Sequence, residues 1–158
     1  MPEPKGWQVL EALAAVLAGM TGTRPWGGQY PSDPVVDHKF RSPRTSEDFL
    51  RIRVLEASGS TSRITNINAI DNVTHDFRVR IEALIIGNLE QPPQGWLQRV
   101  RDDLGRTVAA NLSLGGLCSG FGDEITWEPT EDSETEFGQQ LKLVMTVTLR
   151  FRESWVIA

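Results

Sequence analysis

The sequence predicts an α+β fold, an antiparallel or mixed β-sheet with two main helices packed on one face. Apolar residues recur with a helical period in two stretches, one near the N-terminus and one around residue 100. Three other stretches alternate apolar and polar residues, as half-buried strands do. The resulting order is helix, strands, helix, strand, strand, and strands that follow one another without helical crossovers favour antiparallel pairing. At 158 residues the chain is read as a single domain, 1–158, large enough to bury a core of its own.

The first helix is predicted over residues 7–19, WQVLEALAAVLAG. Leu10, Leu13 and Leu17 share a stripe with Val9, Val16 and Met20, the alanines favour the helix, and Gly19 and Gly22 stop it. The run ALAAVLAGM is read as helix rather than as a signal peptide. Glu11 interrupts the apolar stretch, Lys5 is the only basic residue before it, and no small-residue cleavage site follows. No apolar run approaches the roughly 20 residues needed to cross a bilayer, so a soluble, unexported protein without a membrane partner is expected.

Over residues 21–48 the pattern dissolves. Pro25, Pro31, Pro34 and Pro43 with Gly27 and Gly28 forbid a helix, leaving a long proline- and glycine-rich loop in which PVVDHKF could form a short edge strand. FLRIRVLEA, 49–57, then alternates Leu50, Ile52 and Val54 against Arg51 and Arg53, and SGSTS after it signals a turn. SRITNINAI, 62–70, is a further candidate strand. HDFRVRIEALIIG, 75–87, sets Phe77, Val79, Ile81, Ala83 and Ile85 against Arg78, Arg80 and Glu82.

A second helix is predicted over 92–114. Pro92 and Pro93 suit its first turn, Leu97, Val100, Leu104, Val108 and Leu112 form its apolar stripe, and Gly115 and Gly116 end it. Arg99, Arg101, Asp102, Asp103 and Arg106 are expected to face water. A short strand near 124–128 and an acidic loop at about 128–137 lead into the closing strand, 137–155. There Leu141, Leu143, Met145, Val147, Leu149 and Phe151 occupy every second position.

Charge is distributed unevenly. The net charge of −5 argues against a general nucleic-acid binder. Asp123, Glu124, Glu128, Glu131, Asp132, Glu134 and Glu136 lie together with no lysine or arginine among them. The rest of the chain holds 16 basic residues against 14 acidic, a net of +2. An almost neutral body therefore carries one acidic protrusion. Cys118 is the only cysteine, which excludes an intramolecular disulfide and fits a reducing compartment.

Catalytic signals are thin, and no catalytic residue, cofactor or metal is expected. His38 and His75 each adjoin an aspartate and could serve as ligands or an acid–base pair if folding brought them together. Neighbours on a strand point to opposite faces, so solvent-facing turn or edge positions are expected for both. Cys118 has glycine neighbours but no indicated activating histidine. The glycines at 115, 116, 120 and 122 match neither a dinucleotide fingerprint nor a P-loop. The acidic run lacks the ligand order and central glycine of a calcium loop.

The arginines are more informative. Arg51 and Arg53, Arg78 and Arg80, and Arg150 and Arg152 have i, i+2 spacing, so each pair occupies one face of its strand. On neighbouring strands the six would share one sheet face. Such a face could be solvated and balanced by Glu56, Glu82 and Glu153. It could also meet the acidic segment of a neighbouring copy, with Glu128, Glu131, Asp132, Glu134 and Glu136 as the opposing charges. On that reading Arg51→Glu or Arg150→Glu disturbs assembly more than folding. Trp26, Trp127 and Trp155 lie in segments expected to be poorly buried, and Trp26 and Trp127 are candidate interface anchors.

The arrangement resembles the tail terminator, or tail completion, proteins of tailed phages and related prophage elements. The residues that carry the resemblance are the Leu/Ala-rich helix VLEALAAVLAGMTG, the proline-punctuated stretch before FLRIRVLEA, DFRVRIEALIIG ahead of an amphipathic helix, and LKLVMTVTLRFRE after an acidic hairpin. It implies a sheet flanked by helices and a homo-oligomeric ring, six copies in the family. The ring caps the tail tube, stops its polymerisation and offers the surface that joins the head connector. Implied partners are other copies of the chain, the tail tube protein and the head–tail connector protein, with DNA passing through the ring without specific binding. Implied too are a place at the tail–neck junction of the virion, assembly in the bacterial host cytoplasm and the absence of enzymatic activity. The alternatives are another neck protein, for head–tail joining or head completion, and a small metal-binding enzyme domain built on His38 and His75.

Overall fold

The computed structural model describes residues 4–20, 30, 34–37, 49–64, 70–87, 94–111, 113–118, 120–121, 125–135 and 138–156. In chain order the elements are α1 (Lys5–Ala18), β1 (Val35–Asp37), β2 (Leu50–Ile64), β3 (Ile70–Gly87), α2 (Gln94–Ala110), a 3-10 turn (Leu114–Gly116), β4 (Gly120–Phe121), β5 (Thr126–Trp127), β6 (Glu131–Thr135) and β7 (Gly138–Val156). The fold is α+β, as the sequence predicts, and the sheet is mixed. β1 runs parallel to β2, whereas β2 with β3, β3 with β7, and β7 with β4, β5 and β6 are antiparallel.

β2, β3 and β7 form the frame. Their registers align the apolar positions of all three strands: Ile52 opposes Ala83, Val54 opposes Ile81, Ile81 opposes Met145 and Val79 opposes Val147. Because side chains alternate faces, this register puts every apolar set on one side. Both helices cover that side. Val9, Leu10, Leu13 and Leu17 of α1 and Val100, Leu104 and Val108 of α2 join the strand residues in one core cluster. Each fully buried Leu, Ile or Val contributes roughly 1.5–3 kcal/mol relative to exposure, so this cluster is the main stabilising feature.

Four expectations about element bounds are corrected. SGSTS is not a turn: β2 continues through it to Ile64, paired with β3 across a bulge between Glu56 and Ser58. Serine and threonine tolerate a strand whose two faces are both wet, and a Cβ on Gly59 would stand 3.2 Å from the Asp76 carbonyl oxygen. The candidate strand 62–70 accordingly splits: 62–64 belong to β2, Ile70 begins β3, and 65–69 lie outside the described residues. The acidic loop at 128–137 is in part a strand, since Glu131–Thr135 pairs with 138–142 as β6. The second helix is shorter than 92–114, and Gly115 and Gly116, at φ 70° and 95°, form the turn after it.

Most of 21–48 lies outside the described residues, but PVVDHKF does contribute the edge strand β1. Asp103, expected in water, is buried: it accepts a hydrogen bond from the Tyr30 hydroxyl. Tyr30 packs with Phe49 and Trp96, whose ring carries the Arg99 guanidinium at 4.6 Å. Burial pushes the Asp103 carboxyl up, partly opposed by that hydrogen bond, and pushes the Tyr30 phenol up as well.

Strand length separates two regions. β7 has 19 residues and, at about 3.3 Å per residue, spans roughly 60 Å. The helices, of 14 and 17 residues, reach only about 21 and 25 Å. The frame strands are therefore longer than either helix. The frame continues as a three-stranded arm of Glu56–Ile64, 70–78 and 150–156, in which the described β2 side chains from Glu56 to Ser62 are all exposed while Val73, Phe77 and Phe151 stay buried.

Candidate functional site

The face opposite the helices carries the paired arginines, but they do not gather into one patch. Arg51 and Arg53 lie level with Leu84 and Glu82 of β3, whereas Arg150 and Arg152 lie level with Asp76 and Thr74. Eight β3 positions separate the two ends, about 26 Å along the sheet. Arg78 and Arg80 occupy the middle.

Their surroundings differ too. Arg51 is buried, 6% exposed, which withdraws it from any contact surface; Arg53 is half-buried. Arg80 pairs within the chain, through Nε with Glu82 at 3.1 Å and Nη2 with Glu128 at 3.2 Å. Arg150 binds Asp76 with both Nε, at 2.7 Å, and Nη2, at 3.2 Å. That bidentate contact holds the Asp76 carboxyl below its ordinary range. Arg78 and Arg152 are exposed, and among the described residues neither side chain has an ion-pair partner. Glu128 thus meets an arginine of its own chain. Glu131 and Asp132 are exposed on the β6 hairpin, the side chain of Glu134 is not described, and Glu136 lies outside the described residues.

The tryptophans divide in the same way. Trp26 lies outside the described residues. Trp127 is not a free anchor: it packs against the core, with the Arg101 guanidinium 5.5 Å from its ring centroid and Gly105 of α2 beside it. Trp155 is the large hydrophobic side chain left exposed among the described residues, at 39%.

Trp155 belongs to a cluster on the helix side of the arm, just beyond the start of α1. His75, expected in solvent, is half-buried with both ring nitrogens engaged. Nδ1 lies 2.9 Å from Thr61 Oγ1 and Nε2 lies 2.7 Å from Glu153 Oε1. Its ring sits 4.8 Å from that of Phe151 and 5.7 Å from that of Trp155, whose Nε1 donates to Glu153 Oε1 at 3.0 Å. One histidine thereby ties β2, β3 and β7 together. Lys5 closes the near end by donating from Nζ to the Arg152 carbonyl. Pro4, Trp7 and Glu56 are among the other residues that line a cleft of about 680 Å³ here.

The sequence held a signal for this cluster. His75 continues the parity of Phe77–Ile85, and Glu153 and Trp155 continue that of Leu141–Phe151, so all three belong to the core-side face. Asp76, the sequence neighbour of His75, points to the other face and pairs with Arg150. His38 lies outside the described residues. Among the described residues no three histidine, cysteine, aspartate or glutamate side chains converge. Cys118 is buried and burial pushes its thiol up to about 11, which disfavours the thiolate a nucleophile needs. No helix among the described residues is long and apolar enough to cross a membrane.

Against known proteins, the chain matches no family model and no curated protein sequence.

Proposed function

We propose that the chain is a structural protein of the phage tail–neck junction, a ring-forming tail terminator. In this role it caps the tail tube, ends its polymerisation and presents a surface for the head connector. The observation that carries the reading is the arm, whose β2 side chains from Glu56 to Ser62 are exposed. Three strands run past the helices with exposed charge on one face and an aromatic, carboxylate-edged cleft on the other. A monomer gains little core from such an extension, whereas a subunit that must contact two neighbours and a tube gains contact surface.

The implied architecture, a sheet flanked by helices, agrees with the fold. The cluster around His75 supports a mechanical role over a metal site, because a ligand role for either ring nitrogen would break a contact that joins the strands. DNA would cross the ring with few phosphate contacts, since tight ones would obstruct passage.

The test is tube length in particles made without the protein, with electron microscopy of isolated tubes before and after adding it back. Overlong tubes that regain fixed length and a terminal ring support the reading. Unchanged lengths, with the protein monomeric beside the tubes, overturn it. Labelling on tails made without heads separates a terminator, already present there, from another neck protein that arrives with the head.

A further inference from the structure

We propose that the cleft on the helix side of the arm is a socket for the back of a second copy's arm, with Arg78 of the incoming copy as the group it takes. The contact deepens the ring reading above and rests on it only for closure of the chain of contacts into a ring.

The socket has the chemistry of a guanidinium site. Trp7 and Trp155 supply aromatic surface, Glu56 and Glu153 supply carboxylates, and Lys5, the ammonium in the lining, is engaged by the Arg152 carbonyl. Glu153 receives His75 and Trp155 on Oε1 alone, and among the described residues its Oε2 accepts no bond. Glu56 is exposed and has no ion-pair partner among the described residues. A planar cation stacked on an aromatic ring beside a carboxylate gains from both interactions, and arginine suits such a site better than lysine. The wall is fixed beforehand by the bonds of His75 to Thr61 and Glu153, so a ligand would meet a formed surface.

The choice of a second copy follows from the other face of the same arm. Arg80 is paired with Glu82 and Glu128, and Arg150 with Asp76, but Arg78 and Arg152 are exposed cations with no described partner. Arm residues of opposite charge thus lie back to back, one sheet thickness apart. An unrelated basic peptide would account for the cleft alone; a second copy accounts for the cleft and for the arginines behind it. A surface on one face meeting a different surface on the other is a head-to-tail contact, which propagates into a ring where the rotation closes and into a filament where it does not.

Sedimentation velocity on the full chain over a concentration series tests this. The wild type is expected to self-associate at low salt and to dissociate as salt screens the contact. Arg78→Glu alone and Glu56→Arg alone should each weaken association at least about tenfold, because each sets like charges against each other. An equimolar mixture of the two variants should recover it, since every contact between unlike copies is again of opposite charge. Trp155→Ala, which leaves every charge in place, should also weaken association. Unchanged thermal midpoints establish that the variants are folded. A wild type monomeric at every concentration, association insensitive to Arg78→Glu, or a mixture that fails to recover would each overturn the socket. None of these touches the tube-length result, by which the ring reading stands or falls.

Discussion

The two halves of the sheet share three strands and one hydrogen-bond ladder, yet different forces hold them. In the covered half, Ile52, Val54, Ile81, Leu143 and Met145 are fully buried beneath α1 and α2. In the arm, β2 presents Ala57, Ser58, Ser60, Thr61 and Ser62 to water, and cohesion falls to the buried Val73, Phe77 and Phe151 and to His75 with its partners. Apolar burial therefore sets the stability of the body, while a few directed contacts set the order of the arm. A region ordered by few contacts opens at lower free energy than the core beside it, so the arm should be the first part of the frame to open.

The sharpest test of that difference is a cavity in the body. Leu143→Ala should cost about 4 kcal/mol in urea unfolding, because neighbours on three strands and the helices prevent the site from collapsing. Arg51→Glu should come next, at about 3 kcal/mol. The residue is buried, so a shorter side chain of opposite sign leaves a buried charge without compensation. This reverses the expectation that Arg51 serves assembly more than folding; wild-type stability for the variant would restore that expectation.

Tyr30→Phe should cost about 1–2 kcal/mol at neutral pH, since Asp103 loses a donor while remaining buried. The loss should depend on pH. An acid whose folded value lies above its unfolded value stabilises the fold while protonated, and that contribution fades as pH rises through the folded value. Removing the hydroxyl raises the folded value further. The gap between wild type and variant should therefore widen as pH climbs out of the acid range, and a gap independent of pH would show Asp103 to be neutral throughout.

The smallest global effect should come from the arm. His75→Ala should lower overall stability by less than about 1 kcal/mol, yet speed amide exchange along the arm while amides of the body keep their protection. A loss as large as that of Leu143→Ala would break the comparison and make arm and body one cooperative unit.

The body was legible because burial is written as periodicity. Leu141 to Phe151 at every second position, and Leu10, Leu13 and Leu17 at helical spacing, announce which faces meet. The arm was less legible. SGSTS carries a turn composition, and only its pairing partners, from Arg78 to Thr74 on β3, keep it extended. Asp103 escapes the pattern because a charged residue on a helix reads as solvent-facing until a tyrosine 73 positions away covers it. His75 was misplaced because its partners Thr61 and Glu153 are brought to it by two separate strand pairings.

By itself, then, the sequence determined the α+β class, the extent of the closing strand, the buried face of each main element and the i, i+2 pairing of the arginines. All of these follow from local periods of 2 and 3.6, which the chain carries in its own order of residues. The tertiary structure alone decided which arginines are satisfied within the chain and which are left outward, that the acidic segment folds back as a strand on β7, and that the arm and the start of α1 together form a cleft. Those outcomes depend on strand register and on the relative lengths of packed elements, and both bring together residues that no local pattern connects.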